Sequence, residues 1–331
     1  MKHKFWIGVA VSAGLLVFLF SRIDIGMLWE TIKSVDPYYL AITQVLVVFF
    51  FWIRAVRWRY LMDPVKAGVP VGSLFSATMI GFMANNVLPA RLGEFVRAYS
   101  LGRHEEVPKS SVFATIVVER LFDGLSVLFI VIVALAFMPP DIAGSAAGTL
   151  RKVGIVSMAA YAVVIATLGF FMWRPELPGR IAAAVAGLFS KGLAAKASGL
   201  ADSFMSGLGV VKKPRLLWRI LFYTAVHWGF LPLTILVLFK AFGMDLGLYA
   251  AVFIFATSCI GVALPSTPGY VGTFHAAVMG GLVLLGLDSD KALSFAIVAH
   301  AANYIPVTLI GLYCLSREHL SLGALRKMEA A

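Results

Sequence analysis

The sequence is poor in charge. Only 14% of its 331 residues are Asp, Glu, Lys or Arg, where a soluble domain carries about 25%. That deficit excludes a surface that is wet all round. Cysteine is nearly missing as well. Cys259 and Cys314 both lie in apolar stretches, which excludes a disulfide framework and leaves the redox compartment open. The six histidines follow no zinc-binding spacing, so neither a metal nor any other cofactor is expected. The net charge of +11 comes with no groove-reading motif, so nucleic acid is not an expected partner. Basic loops facing anionic lipid account for the charge instead. A signal-peptide cleavage site is also missing. Residues 5–20 are apolar, but Ser21-Arg22-Ile23-Asp24 follows them directly, and the segment reads as a retained first span.

What the chain has in quantity is apolar surface. Hydrophobic residues make up 60% of it, and the mean hydropathy is +0.89. They come in blocks, at 5–20, 40–53, 112–138, 153–173, 216–239, 246–264, 274–287 and 292–315. About 20 such residues cross about 30 Å of hydrocarbon. The expected fold is therefore an all-α polytopic membrane protein.

Basic residues orient it. With the N-terminus in the cytoplasm, twenty Lys and Arg fall inside, among them Arg54, Arg57, Arg59 and Arg97, and six fall outside. This bias predicts an inner-membrane protein with both termini cytoplasmic. The count requires two segments that do not cross. Residues 71–101 are broken at Asn85-Asn86-Val87-Leu88-Pro89-Ala90-Arg91-Leu92-Gly93-Glu94, and residues 246–287 at Leu264-Pro265-Ser266-Thr267-Pro268-Gly269-Tyr270-Val271-Gly272. Proline removes a backbone donor and ends a helix. Each segment is expected to be a re-entrant helical hairpin, with Pro89, Gly93, Pro265, Pro268, Gly269 and Gly272 as hinges. Broken backbone at membrane depth has to be buried in protein or line a watery cavity.

About six full transmembrane helices remain. The first unit covers 5–138, with spans 5–20, 38–62 and 111–138 around the hairpin. The second covers 153–315, with spans 153–173, 216–240 and 291–315. Three crossings per unit place the second upside down, the inverted repeat of many secondary transporters. Both breaks read Leu-Pro-x-x-x-Gly. Between them, residues 175–213 place Ile181, Val185, Leu188, Phe189 and Leu193 at helical spacing, punctuated by Arg180, Lys191 and Lys196. This predicts a cytoplasmic amphipathic helix on the leaflet, or a loop packed beneath the bundle.

Charge inside a bilayer costs about 2.5–3.5 kcal/mol per residue, so Arg91, Glu94, Glu119, Arg120 and Asp123 are informative. Arg91 and Glu94 are spaced to pair on one helix face. So are Arg120 and Asp123, while Glu119 and Asp123 share a face. Two readings stand. The cluster either neutralises itself and locks the first hairpin in place, or it opens a polar cavity where Arg91 or Arg120 meets an anionic group such as a lipid phosphate. Guanidinium suits phosphate through its two parallel hydrogen bonds. Asn85 and Asn86 either serve backbone groups freed at Pro89 or touch a ligand. Ser266 and Thr267 offer hydroxyls, and Gly269 and Gly272 permit positive φ. His275 follows the second break, and His227 and His300 lie in spans. Each is either a proton carrier or a packed, hydrogen-bonded ring.

Three stretches carry a resemblance: 86–97 around the first break, Val118-Glu119-Arg120-Leu121-Phe122-Asp123, and 264–274 around the second. In this order they closely resemble the transmembrane region of lysylphosphatidylglycerol synthases, shared by many stand-alone flippase-like membrane proteins. The resemblance runs from about residue 5 to 317. It implies movement of an amphipathic lipid between leaflets. The candidate substrate contacts, read from the residues themselves, are Asn85, Asn86, Arg91, Glu94, Arg97, Glu119, Arg120, Asp123, Ser266, Thr267 and His275. Membrane lipids and lipid-biosynthesis enzymes are the implied partners. The full-length synthases have a soluble aminoacyltransferase domain, and only about 16 residues follow the last expected span here. Aminoacyl transfer by this chain is therefore not expected. The alternative is an accessory or enzyme subunit of membrane lipid or hopanoid synthesis. Many relatives carry Glu where this chain has His275, which leaves an acidic role at that position without its residue.

Overall fold

A computed structural model describes residues 25–88, 92–136, 147–209, 213–263 and 268–318. The expected first span, 5–20, lies outside them, as do Pro89, Arg91, Pro265, Ser266 and Thr267. The described residues form twelve α-helices and no strand. These are α1 (Ile25–Lys33), α2 (Pro37–Met62), α3 (Val71–Val87), α4 (Gly93–His104), α5 (Lys109–Ala136), α6 (Ala147–Trp173), α7 (Glu176–Gly187), α8 (Lys191–Leu208), α9 (Pro214–Ala241), α10 (Leu248–Ala263), α11 (Thr273–Leu284) and α12 (Ser289–Arg317). The protein is an all-α polytopic membrane protein.

Local chemistry sets the helix ends. Asp36 caps α2, its carboxylate accepting from Tyr38 N at 2.8 Å, with Pro37 in the first turn. Proline fits there because that amide has no intrahelical partner. Asp288 caps α12 by accepting from Asp290 N at 2.8 Å. Helix α3 stops at Leu88, which is extended at φ −91 and ψ 144. The following proline disfavours helical geometry at that residue.

Three described helices are both long and apolar enough to cross a membrane: α2, α9 and α12, with mean hydropathies of 1.9, 1.7 and 1.6. Helix α5 has the length, but it carries Glu119, Arg120 and Asp123. Helices α3 and α4 form one helical hairpin, and α10 and α11 form a second. In the first, a methyl group added at Gly81 would lie 2.7 Å from Gly93 O and 2.9 Å from Arg97 Cβ. The two backbones touch because neither glycine has a side chain. The second hairpin closes the same way: a methyl group added at Gly261 would lie 2.7 Å from Thr273 O.

Helix α12 joins the hairpins. Gly311 lies against Met83 of α3. Tyr304 donates to the Asn86 carbonyl at 3.2 Å, and Asn86 Nδ2 donates to Thr308 at 2.9 Å. Gly269, in the turn at Pro268–Tyr270, lies against Tyr304 and near the Asn86 carbonyl. The two breaks therefore meet. One apolar core surrounds Trp58, Leu61, Met62, Leu101 and Ile116, and another surrounds Phe239, Phe253, Leu282 and Phe295. Residues 175–213 fold mostly as α7 and α8. Leu208 joins the first core, while Leu188 and Phe189 at the turn between the helices are exposed.

Candidate functional site

Four helices converge on one buried ionic cluster. Helix α2 supplies Arg54 and Arg57, one turn apart on the same face. Helix α4 supplies Glu94 and Arg97, again one turn apart. Helix α5 supplies Glu119, Arg120 and Asp123, and α9 supplies Thr224, His227 and Trp228.

The carboxylates of Glu119 and Asp123 stand at its centre. Glu119 takes a two-pronged pair from Arg97 at 3.1 and 2.7 Å. It also pairs with Arg54 at 2.5 Å and Arg57 at 3.3 Å. Asp123 takes Arg54 and Arg57, each at 2.6 Å, and the Trp228 indole N–H at 3.1 Å. Aromatic faces wall the cluster. The Arg97 guanidinium lies 3.6 Å from the Trp58 ring, and Arg54 lies 5.0 Å from Phe82. The His227 ring stacks on Phe50 at 4.0 Å. Cations over aromatic faces gain from the ring quadrupole, most of all when desolvated.

The expected Arg91–Glu94 pair falls outside the described residues. Glu94 meets Arg120 at 2.7 Å, and Arg120 also reaches Asp123 at 3.4 Å. This pair forms the open edge of the cluster. The Arg120 and Glu94 side chains are 38% and 27% exposed, against 0% for Glu119. A recess behind them, lined by Phe82, Asn85, Gly93 and Arg97, has no room for a water molecule.

Arg54, Arg57 and Arg97 require a correction. The orientation count treats them as cytoplasmic loop charges, whereas all three are buried in the cluster. Glu119 and Asp123 of α5 pair with all three there, so they do not report a side of the membrane. Without them the bias is seventeen to six. Arg54 and Arg57 are also absent from the candidate contacts read from sequence. The available signal was their one-turn spacing at the end of an unbroken apolar run.

Four arginines face three carboxylates, so the described cluster has one positive charge in excess. It also has spare donors. The Nε–H groups of Arg54, Arg57 and Arg97 are buried and have no acceptor among the described residues. Buried donors without acceptors are costly, and because the recess has no room for water, an anion can meet the excess charge at the exposed Arg120 edge. Asn85 is committed elsewhere, accepting from Gly93 N at 2.7 Å to close the hairpin.

Beside the cluster lies an apolar cleft of about 550 Å³ between α5, α9 and α10. Phe122, Leu125, Phe129, Leu221, Leu233 and Val252 help to line it. Trp228 stands in the wall and donates to Asp123, so the apolar cleft and the ionic cluster share a side chain.

The second break holds His275 and His300 apart from this cluster. Gly272 N donates to His275 Nδ1 at 3.2 Å, and His300 Nε2 lies 2.7 Å from Gly269 O. Gly269 and Gly272 have φ of +73 and +90, conformations open to glycine.

Lysylphosphatidylglycerol synthase TM regions match residues 5–311. The chain belongs to that family. A UPF0104 membrane protein of Methanothermobacter thermautotrophicus is 24% identical over 94% of this chain and 94% of its own length. A second from the same organism is 23% identical over 87% and 85%. Glycosyltransferase AglD of Haloferax volcanii is 27% identical over 92% of this chain, which spans 53% of that relative. No solved structure matches. The cluster and both helical hairpins fall within the region shared with the family.

Proposed function

We propose that the chain moves an anionic or zwitterionic amphipathic lipid, such as a phospholipid, hopanoid or polyprenyl-linked lipid, between the leaflets of a bacterial-type inner membrane. One observation carries this reading. A buried cluster with one excess positive charge opens through Arg120 and Glu94 at the first helical hairpin, beside an apolar cleft. A lipid has the matching parts: an oxygen-rich anionic head for the guanidinium groups and chains for the cleft. In this reading Arg120 binds the head group and Glu94 competes with it. Arg54, Arg57, Arg97, Glu119 and Asp123 hold Arg120 in place.

The two units, 5–138 and 153–315, act as an inverted repeat whose breaks meet at Asn86 and Gly269. Their rocking exposes the site to each leaflet in turn. The N- and C-termini are cytoplasmic, and α7 and α8 lie on the cytoplasmic leaflet through Leu188 and Phe189.

The test is reconstitution into vesicles carrying a labelled phospholipid in one leaflet. Wild-type protein speeds leaflet exchange over empty vesicles, and Arg120→Ala returns it to the empty-vesicle rate. Equal exchange in all three ends the proposal.

A second reading is a non-transporting subunit of membrane lipid or lipid-linked sugar synthesis. It is favoured by the relative named a glycosyltransferase, of which this chain spans about half. Lipid turnover by purified protein with no effect on leaflet exchange selects it.

A further inference from the structure

The second break is held by two histidines whose hydrogen bonds fix their protonation states. A backbone amide only donates. The 3.2 Å contact from Gly272 N therefore requires a bare lone pair on His275 Nδ1. A backbone carbonyl only accepts, so His300 Nε2, 2.7 Å from Gly269 O, carries a hydrogen. The two rings stand edge to face with centroids 4.8 Å apart. His275 is the third residue of α11 and is 7% exposed. Its ring thus serves as an acceptor for the amide that precedes the helix, a role usually taken by Glu or Gln at this position.

We infer that His275 is a proton-binding site whose occupancy releases the second break. A proton from water bonds to Nδ1 and leaves an imidazolium that only donates. The Gly272 N–H then faces another N–H. The bond between them is lost, and with it the contact that ties the Gly272 amide, at φ +90, to the first turn of α11. The freed segment is the one that abuts Asn86, the tip of the first helical hairpin, through Tyr304.

His300, 4.8 Å away ring to ring, is a titratable group in contact with His275, while α1, packed beside α11 through Ile32, carries Glu30 and Lys33, which pair with each other. Helix α12 presents His300 and, one turn on, Tyr304. Its Asp290 and Lys291 are ten and nine residues from His300, roughly 14 Å along a helix. Helix α10 carries no charged residue; its titratable groups are Cys259 and Tyr249, and Tyr249 donates to Ala134 O. Helix α11 contains no other titratable group, and α3 contains none. No carboxylate among the described residues pairs with either histidine.

Amide hydrogen exchange of the full chain in lipid nanodiscs tests this, followed on peptides covering 268–276 and corrected for the intrinsic pH dependence of exchange. In wild type, protection of these amides falls at least tenfold between about pH 7.5 and about pH 4.5, the range in which imidazole titrates. His275→Asn keeps an acceptor near the same place without titrating, and its protection is flat over that range. His275→Ala is unprotected at both values. Peptides from α2 serve as the control for global opening. Unchanged wild-type protection, or an equal fall in His275→Asn, overturns the inference. Should the variants fail to fold, nitrogen NMR of histidine-labelled wild type decides, and a His275 Nδ1 that stays bare throughout overturns it. Both readouts are of the chain itself, so a failure of lipid exchange leaves them standing.

Discussion

Arg97 grips Glu119 with both prongs of its guanidinium, at 3.1 and 2.7 Å, while lying 3.6 Å from the Trp58 ring. The partners differ in what their loss does to the charge balance. Four arginines face three carboxylates. Glu119→Gln leaves two positive charges in excess, whereas Arg97→Gln leaves none. Removing one member of a buried pair costs about 3–5 kcal/mol when the other charge stays uncompensated. Glu119→Gln is expected to take that full cost and Arg97→Gln clearly less. Thermal midpoints in one detergent check the order, and equal losses contradict it.

Arg120 and Glu94 sit at the wet edge, so their substitutions separate stability from binding. Half-exposed pairs contribute about 0–1 kcal/mol. Glu94→Gln therefore leaves the thermal midpoint within a few degrees of wild type. It also removes the anion that competes for Arg120. An anionic phospholipid is expected to bind about tenfold more tightly, a gain of about 1.4 kcal/mol, while a neutral lipid is unaffected. Lipid-dependent midpoint shifts measure both. No preference for the anionic lipid over the neutral one counts against the head-group role of Arg120.

Parts of this arrangement were legible in the sequence and parts were not. Helical character was, because long apolar runs inside a bilayer must satisfy their own backbone. The stop at Leu88 followed from the proline behind it. The partners of Glu119 and Asp123 were not legible. Arg54 and Arg57 lie more than sixty residues away in sequence, and only helix packing decides that they meet. They close the unbroken apolar run at Ile53, inside the expected span 38–62 and inside α2, which continues to Met62. Nor was the Glu94–Arg120 pair legible, since its partners lie 26 residues apart on different helices.

A loop pair outside the spans gives a pH prediction. Lys66 donates to the Glu105 carboxylate at 2.9 Å and to its carbonyl at 2.8 Å. Burial alone raises the Glu105 carboxyl, but hydrogen bonds from Lys66 and Ser73 outweigh it and hold the group below its ordinary 4.5. A lowered carboxyl stabilises the fold above its unfolded value and loses that contribution as pH falls through the lower folded one. Wild type is therefore expected to exceed Glu105→Gln slightly in thermal midpoint at about pH 7, and the gap closes below about pH 4. A gap that widens in acid contradicts the sign.

The contact between α3 and α4 fixes where Arg97 stands, and Gly81 fixes the contact. A methyl group there meets Gly93 O at 2.7 Å and Arg97 Cβ at 2.9 Å. Neither neighbour is the free end of a flexible chain, so the two helices must separate. Overpacking of this kind costs about 1–3 kcal/mol. Moving Arg97 also lengthens its bonds to Glu119, which makes Gly81→Ala more harmful than its size implies. Gly229, within α9, has nothing within 4 Å of an added methyl group. There alanine is neutral or slightly stabilising, since it restricts the unfolded chain without strain. Parallel midpoints for Gly81→Ala and Gly229→Ala read the difference. A Gly81→Ala protein as stable as wild type would mean that the first helical hairpin does not depend on backbone contact.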